Sequence, residues 1–207
     1  MDSYVTLKQF SEYRYEDRKS VFWGFAKPIQ TESEAIEFIQ SIKKTYPDAR
    51  HWVYAYVLRK NSTMRYTDDR EPQGTAGMPV LDVIRKNGVK DAVIVVVRYF
   101  GGVLLGTGGL VHAYTEAALG ALNSAKVIEY NTYVFFDVRV TYSDYQRIAS
   151  VLTKYDFLTE NTDYSDNVKI SGSVKFDVYE NIKNELLEIT GGRAEILYID
   201  KKYDFRE

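Results

Sequence analysis

No cysteine occurs in this 207-residue sequence, so disulfides, thiolate metal sites and cysteine nucleophiles are all excluded. That absence fits a reducing compartment, and cytoplasm is the expected location. Histidine is nearly as scarce. The two that occur, His51 and His112, have no metal-ligand or triad partner at diagnostic spacing, so metalloenzymes of the HExxH type are excluded. Four prolines and 27% charged residues give an ordinary globular composition. The longest apolar run, residues 92–97, is the length of a strand and far short of a membrane span, and MDSYVTLKQF lacks a basic region followed by an apolar one. Charge of one sign is lacking too. A net charge of −2, divided as +2 over residues 1–132 and −4 over 133–207, excludes a protein that coats nucleic acid through bulk charge but allows a local basic patch on the first half. The 18 tyrosines alternate along strand-like segments such as Trp52, Tyr54, Tyr56, which reads as amphipathic sheet faces rather than a base-stacking platform.

What the sequence has in excess is glycine at one place. Gly101, Gly102, Gly106, Gly108 and Gly109 stand within nine positions, after a β-branched run and before an apolar helical stretch. The segment has no GK[ST] at Walker spacing and no G-x-G-x-x-G with a downstream acid, so generic nucleotide motifs are not matched. A glycine turn that feeds a helix predicts free N–H groups at Gly108, Gly109 and Leu110, aligned with the positive end of the helix dipole, where anions bind. Arg98 just before the turn and His112 one turn into the helix are expected to lean on the same anion. The alternative is that the glycines only permit a tight turn and close packing.

A second cluster is DDREPQGTAGMP at residues 68–79. Asp68, Asp69 and Glu71 can either cap local backbone N–H groups or hold Mg²⁺ with a substrate phosphate, with Gly74 and Thr75 in the turn that follows; capping is the favoured role. His51 reads as a structural histidine or a member of the glycine-loop site. Tyr99 and Phe100 at a strand end either cap the core or stack on a base. No residue is assigned as catalytic.

Periodicity divides the chain in two. Residues 4–15 and 20–27 read as strands, and a helix follows with Thr31 as N-cap, Glu34 three residues on, and an apolar stripe of Ala35, Ile36, Ile39, Ile42 and Tyr46. Residues 51–58 and 64–68 predict a hairpin, Pro79 opens a short helix, and 92–99 is a strand buried on both faces. A helix over about 109–124 completes a domain spanning 1–132, with residues 126–132 as the connection. Residues 133–207 then read β-α-β-β-α-β, the order of a ferredoxin-like domain.

DDREPQGTAGMPVL (68–81) and VVRYFGGVLLGTGGLVHAYTEAA (96–118), with Lys19-Ser20, Phe22 and DARHWVYAY (48–56), resemble the signature segments of the YigZ/IMPACT family across nearly the whole chain. Two positions depart: Arg70 stands where such proteins usually have glycine, and His112 where arginine is frequent. The resemblance implies an α+β protein of two domains. The first would be like domain 2 of ribosomal protein S5, and the second, ferredoxin-like, would be similar to the last domain of elongation factor G. It also implies a non-enzymatic, translation-associated regulator with a ribosome or structured RNA as partner. The alternatives are a phosphate-ligand-binding enzyme or small-molecule binder that uses Mg²⁺, and a module that regulates the translation stress response through a protein partner. No membrane partner and no resident cofactor are expected.

Overall fold

The computed structural model describes residues 3–205 and is α+β throughout, in two compact units that divide between Glu129 and Tyr130. In the first, a sheet of order β2-β3-β6-β4-β5 is formed by Ser11–Asp17 (β2), Ser20–Pro28 (β3), His51–Val57 (β4), Met64–Thr67 (β5) and Ala92–Tyr99 (β6). Every pairing in it is antiparallel. A shorter strand, Tyr4–Leu7 (β1), precedes them, and Val127–Val140 (β7) follows them in sequence.

Strand β6 is central, and its side chains alternate between two cores. Ala92, Ile94 and Val96 face one that includes Val80 and Ile84 of α2 (Gly77–Lys86) and Ala113 to Leu122 of α3 (Gly106–Ser124). Val93, Val95 and Val97 face the other, with Phe38, Ile39 and Ile42 of α1 (Glu32–Thr45). A strand covered on both faces needs no polar side, which explains its β-branched run. Thr31 caps α1 as expected: Glu34 N donates to its hydroxyl at 3.2 Å, and Gln30 N donates to the Glu34 carboxylate at 3.0 Å. The helix stripe differs at one position, since Phe38 is buried and Ile36 is exposed. Helical spacing allowed both, and the direction of the core decided between them.

Residues 4–15 are not one strand but two, β1 and β2. Residues 127–132, expected as a connection, belong to β7, where Tyr130, Asn131 and Thr132 pair with Phe205, Asp204 and Tyr203. A β-capable segment with partners on offer satisfies its backbone in a ladder rather than in water.

The second unit comprises β7, α4 (Tyr142–Lys154), β8 (Leu158–Tyr164), β9 (Val168–Lys175), α5 (Tyr179–Ile189) and β10 (Glu195–Phe205). Its sheet runs β10-β7-β9-β8 with all pairs antiparallel, the ferredoxin-like order, over a core that includes Phe136, Ile148, Ile170 and Ile182. No helix among the described residues is long and apolar enough to cross a membrane.

Candidate functional site

Antiparallel pairing gathers distant parts of the sequence at one end of the first unit's sheet. His51, at the start of β4, and Phe22, near the start of β3, both pair with Arg98 near the end of β6, while Val21 pairs with Tyr99. The turn holding Arg18 and Lys19, the glycine loop and the acidic loop therefore meet at this end.

Its floor is a buried polar network. Arg98 is 6% exposed, and its Nη1 donates to Glu71 Oε1 at 2.5 Å. Tyr114, fully enclosed on α3, donates its hydroxyl to the same oxygen at 2.8 Å. Burial, and next the Glu71 carboxylate beside it, push the Tyr114 phenol well above its ordinary value, so it remains a donor. His51 Nδ1 lies 2.8 Å from the Asp69 carbonyl oxygen. A carbonyl can only accept, so Nδ1 carries a proton and, in the neutral ring, Nε2 is the acceptor; it stands 3.7 Å from Glu71 Oε1. One donor is left over. Arg98 Nε is buried with no hydrogen-bond partner among the described residues.

The acidic loop caps backbone. Asp68 accepts from Gly74 N at 2.9 Å, Ala76 N at 3.1 Å and Gly77 N at 2.8 Å, and so satisfies the start of α2, whose N-cap residue, Ala76, has no side-chain oxygen to offer. Asp69 accepts from Trp52 N at 2.7 Å, and the Thr75 hydroxyl donates to the Pro72 carbonyl at 2.7 Å. With Glu71 committed to Arg98, the three carboxylates point to three different tasks. No cluster of three or more metal-ligating groups exists among the described residues, and these three carboxylates are occupied by backbone N–H groups and by Arg98.

The glycine loop departs from expectation in where its helix begins. Helix α3 starts at Gly106 rather than near Gly109, so the N–H groups left free by its first turn are those of Gly106, Thr107 and Gly108, not of Gly109 and Leu110. Gly101 is a packing residue: a Cβ there would lie 2.1 Å from the Lys19 carbonyl carbon, and its N–H donates to the Ser20 hydroxyl at 3.1 Å. Gly102 and Gly106 hold positive φ, +85° and +73°, which turns the chain from strand to helix. A Cβ on Gly108 would meet open space, and one on Gly109 would press on the Leu105 Cβ at 3.0 Å.

A cavity of about 470 Å³ opens over the network. His51, Glu71 and Arg98 line its polar side, Phe100, Leu104 and Leu110 its apolar side, and Arg50, Gly106 and Thr107 also border it. One sequence expectation fails here. His112 is exposed and sits edge-on to Tyr15, with ring centroids 6.1 Å apart, because its place on α3 turns it away from the cavity. Tyr99 packs against the core on the α1 side of the sheet, one of the two roles open to it, because β6 alternates and it is Arg98 beside it that faces the cavity. Tyr114, Arg50, Leu104 and Thr107 escaped sequence reasoning. Tyr114 alone left a trace, as a tyrosine on a helix face otherwise made of Ala and Leu.

Comparison with known proteins places this geometry. Residues 18–122 match the Impact N-terminal domain, and residues 138–193 match a domain of unknown function, DUF1949. The chain is 36% identical over 197 residues to "IMPACT family member YvyE" of Bacillus subtilis, covering 95% of this chain and 91% of that one. It is 30% identical over 189 residues to "IMPACT family member YigZ" of Escherichia coli, covering 90% and 93%. Rat "Protein IMPACT" is 29% identical over 94 residues, which are 44% of this chain and 30% of the rat protein. A crystal structure titled as a hypothetical protein superposes with a TM-score of 0.60 at 29% identity, covering 97% of this chain and 98% of that one. The cavity and its polar floor, between Arg50 and Tyr114, lie within the first matched segment. With both domains matched in order and relatives aligned over nearly its full length, the chain belongs to the IMPACT family.

Proposed function

We propose that this IMPACT family member is a non-enzymatic, cytoplasmic, translation-associated protein that contacts structured RNA or a ribosomal surface with the loop end of its first unit. One observation carries the reading. Arg18, Lys19, Arg50 and Arg70 are all exposed on the loops at that end, and none takes part in an ion pair among the described residues. Free cations on neighbouring loops suit a phosphate backbone, and with a net charge of −2 such binding depends on a local patch rather than on bulk charge. Arg98 has a different part from the one sequence reasoning assigned to it. Buried and held by Glu71, it supports the loop from beneath instead of meeting phosphate at the surface.

The test is cosedimentation with ribosomes and with total RNA over a salt series. Wild type is expected to bind in a salt-sensitive way. A combined Arg18→Gln, Lys19→Gln, Arg50→Ala variant is expected to bind more weakly, with the salt slope reduced by roughly one unit per lost contact. Absence of binding at low salt overturns the reading, as does an unchanged slope in the variant.

A further inference from the structure

The cavity presents three chemistries on one surface. Hydrogen-bond donors come from the free N–H groups of Gly106 and Thr107 at the positive end of α3, where Leu105 supplies no side-chain cap, and from exposed Arg50. To these is added Arg98 Nε, on a side chain only 7% exposed and without a partner among the described residues. A buried guanidinium N–H with nothing to donate to is costly, which marks this floor as a place where polar groups are not fully matched within the protein. When the ring is neutral, an acceptor comes from His51 Nε2, because Nδ1 donates to the Asp69 carbonyl. The apolar side is Phe100, Leu104 and Leu110, of which Leu104 is 82% exposed.

From these we infer that the cavity binds a nucleoside phosphate, either free or as the phosphorylated end of an RNA strand. The phosphate lies on the first turn of α3, with Arg50 at the mouth and the Arg98 guanidinium in the floor beneath. The sugar hydroxyls donate to His51 Nε2, and the base lies on Phe100 and Leu104. Each part of the ligand answers one part of the wall. Inorganic phosphate leaves the apolar side uncovered, and a purely apolar ligand leaves the donors unmet. At about 470 Å³ the cavity is in the size range of small-molecule sites. Glu71 does not repel the phosphate as a free carboxylate would, because Arg98 and Tyr114 already bond to it. This inference does not rest on binding along an RNA backbone; either can fail alone.

The experiment is calorimetric titration of the full chain with the four ribonucleoside 5′-monophosphates, the matching nucleosides, inorganic phosphate, and a short oligoribonucleotide with and without its 5′-phosphate. At least one monophosphate is expected to bind about tenfold or more tightly than its nucleoside and than phosphate. Thr107→Glu puts a carboxylate on the exposed first turn of α3, which the helix dipole favours, so the melting temperature should be retained while nucleotide affinity falls at least about tenfold. Leu104→Asp, at an exposed position, is expected to weaken nucleotides but not inorganic phosphate. If only the oligonucleotide binds and its 5′-phosphate is required, the chemistry stands and the source is an RNA end. The inference is overturned if no phosphate-bearing ligand binds, if nucleosides bind as well as nucleotides, if inorganic phosphate binds as tightly as either, or if Thr107→Glu binds like wild type.

Discussion

Of the buried carboxylates that pair with cations, Asp144 in the second unit and Glu71 in the first are built to different ends. In the second unit Asp144 is enclosed near the start of α4, accepting from Arg193 Nη2 at 2.8 Å and Nε at 3.1 Å, and from Arg147 at 3.2 Å. Both arginines are more than half exposed, and the backbone N of Asp144 caps onto Thr141. No donor of this cluster is buried without a partner among the described residues. In the first unit the order is reversed: the arginine is buried with the carboxylate, one guanidinium N–H has no partner, and a cavity lies alongside. A cluster whose arginines reach solvent pins a helix, whereas one whose carboxylate and guanidinium are both buried gives the cavity above it a fixed polar floor.

Removing the anion of the first cluster gives the largest difference between the two. Glu71→Ala leaves Arg98 buried without compensation and is expected to destabilise the first unit by about 3 to 5 kcal/mol, read as a lowered midpoint in urea unfolding. Loss well under 1 kcal/mol means that water reaches Arg98 easily, and the distinction between the clusters then fails. Tyr114→Phe removes one hydrogen bond to a charged acceptor and should cost about 1.5 to 3 kcal/mol. The last effect is one of slope. Arg193, foremost, holds the Asp144 carboxyl below the usual carboxylate range. The folded pKa is therefore below the unfolded one, so the stabilisation is present above the unfolded value near 4 and disappears as pH falls towards the folded one. Asp144→Asn is expected to flatten the fall of melting temperature on acidification from about pH 5 to 3; an acid limb as steep as in wild type rules out this ion pair as its source.

Much of the architecture was legible because local chemistry and tertiary need agreed. Thr31 with Glu34 announces a helix start whatever lies nearby, and the β-branched run of β6 suits only a strand covered on both sides. Legibility failed where a residue's partner was remote in sequence. Residues 127–132 looked like a connection until β10 supplied a ladder some seventy residues away. The candidate site divides in the same way: Arg98, the glycines and Glu71 stood out by type and neighbourhood, whereas Tyr114 and Leu104 gained their meaning from what folded against them.

By itself, then, the sequence determined the α+β order of elements, the double-sided core of the first unit, the ferredoxin-like succession of the second and membership of the IMPACT family, because each rests on periodicity, capping or strings of residues read in order. Only the tertiary structure decided that Arg98 is spent on Glu71, that His112 faces away, that the acidic loop caps α2 rather than gathering into a metal site, and that a cavity opens between Phe100 and His51. Which hydrogen bonds a buried charge makes depends on the register of antiparallel strands and the turn at which a helix begins, and a shift of one residue in either turns the side chain to another face.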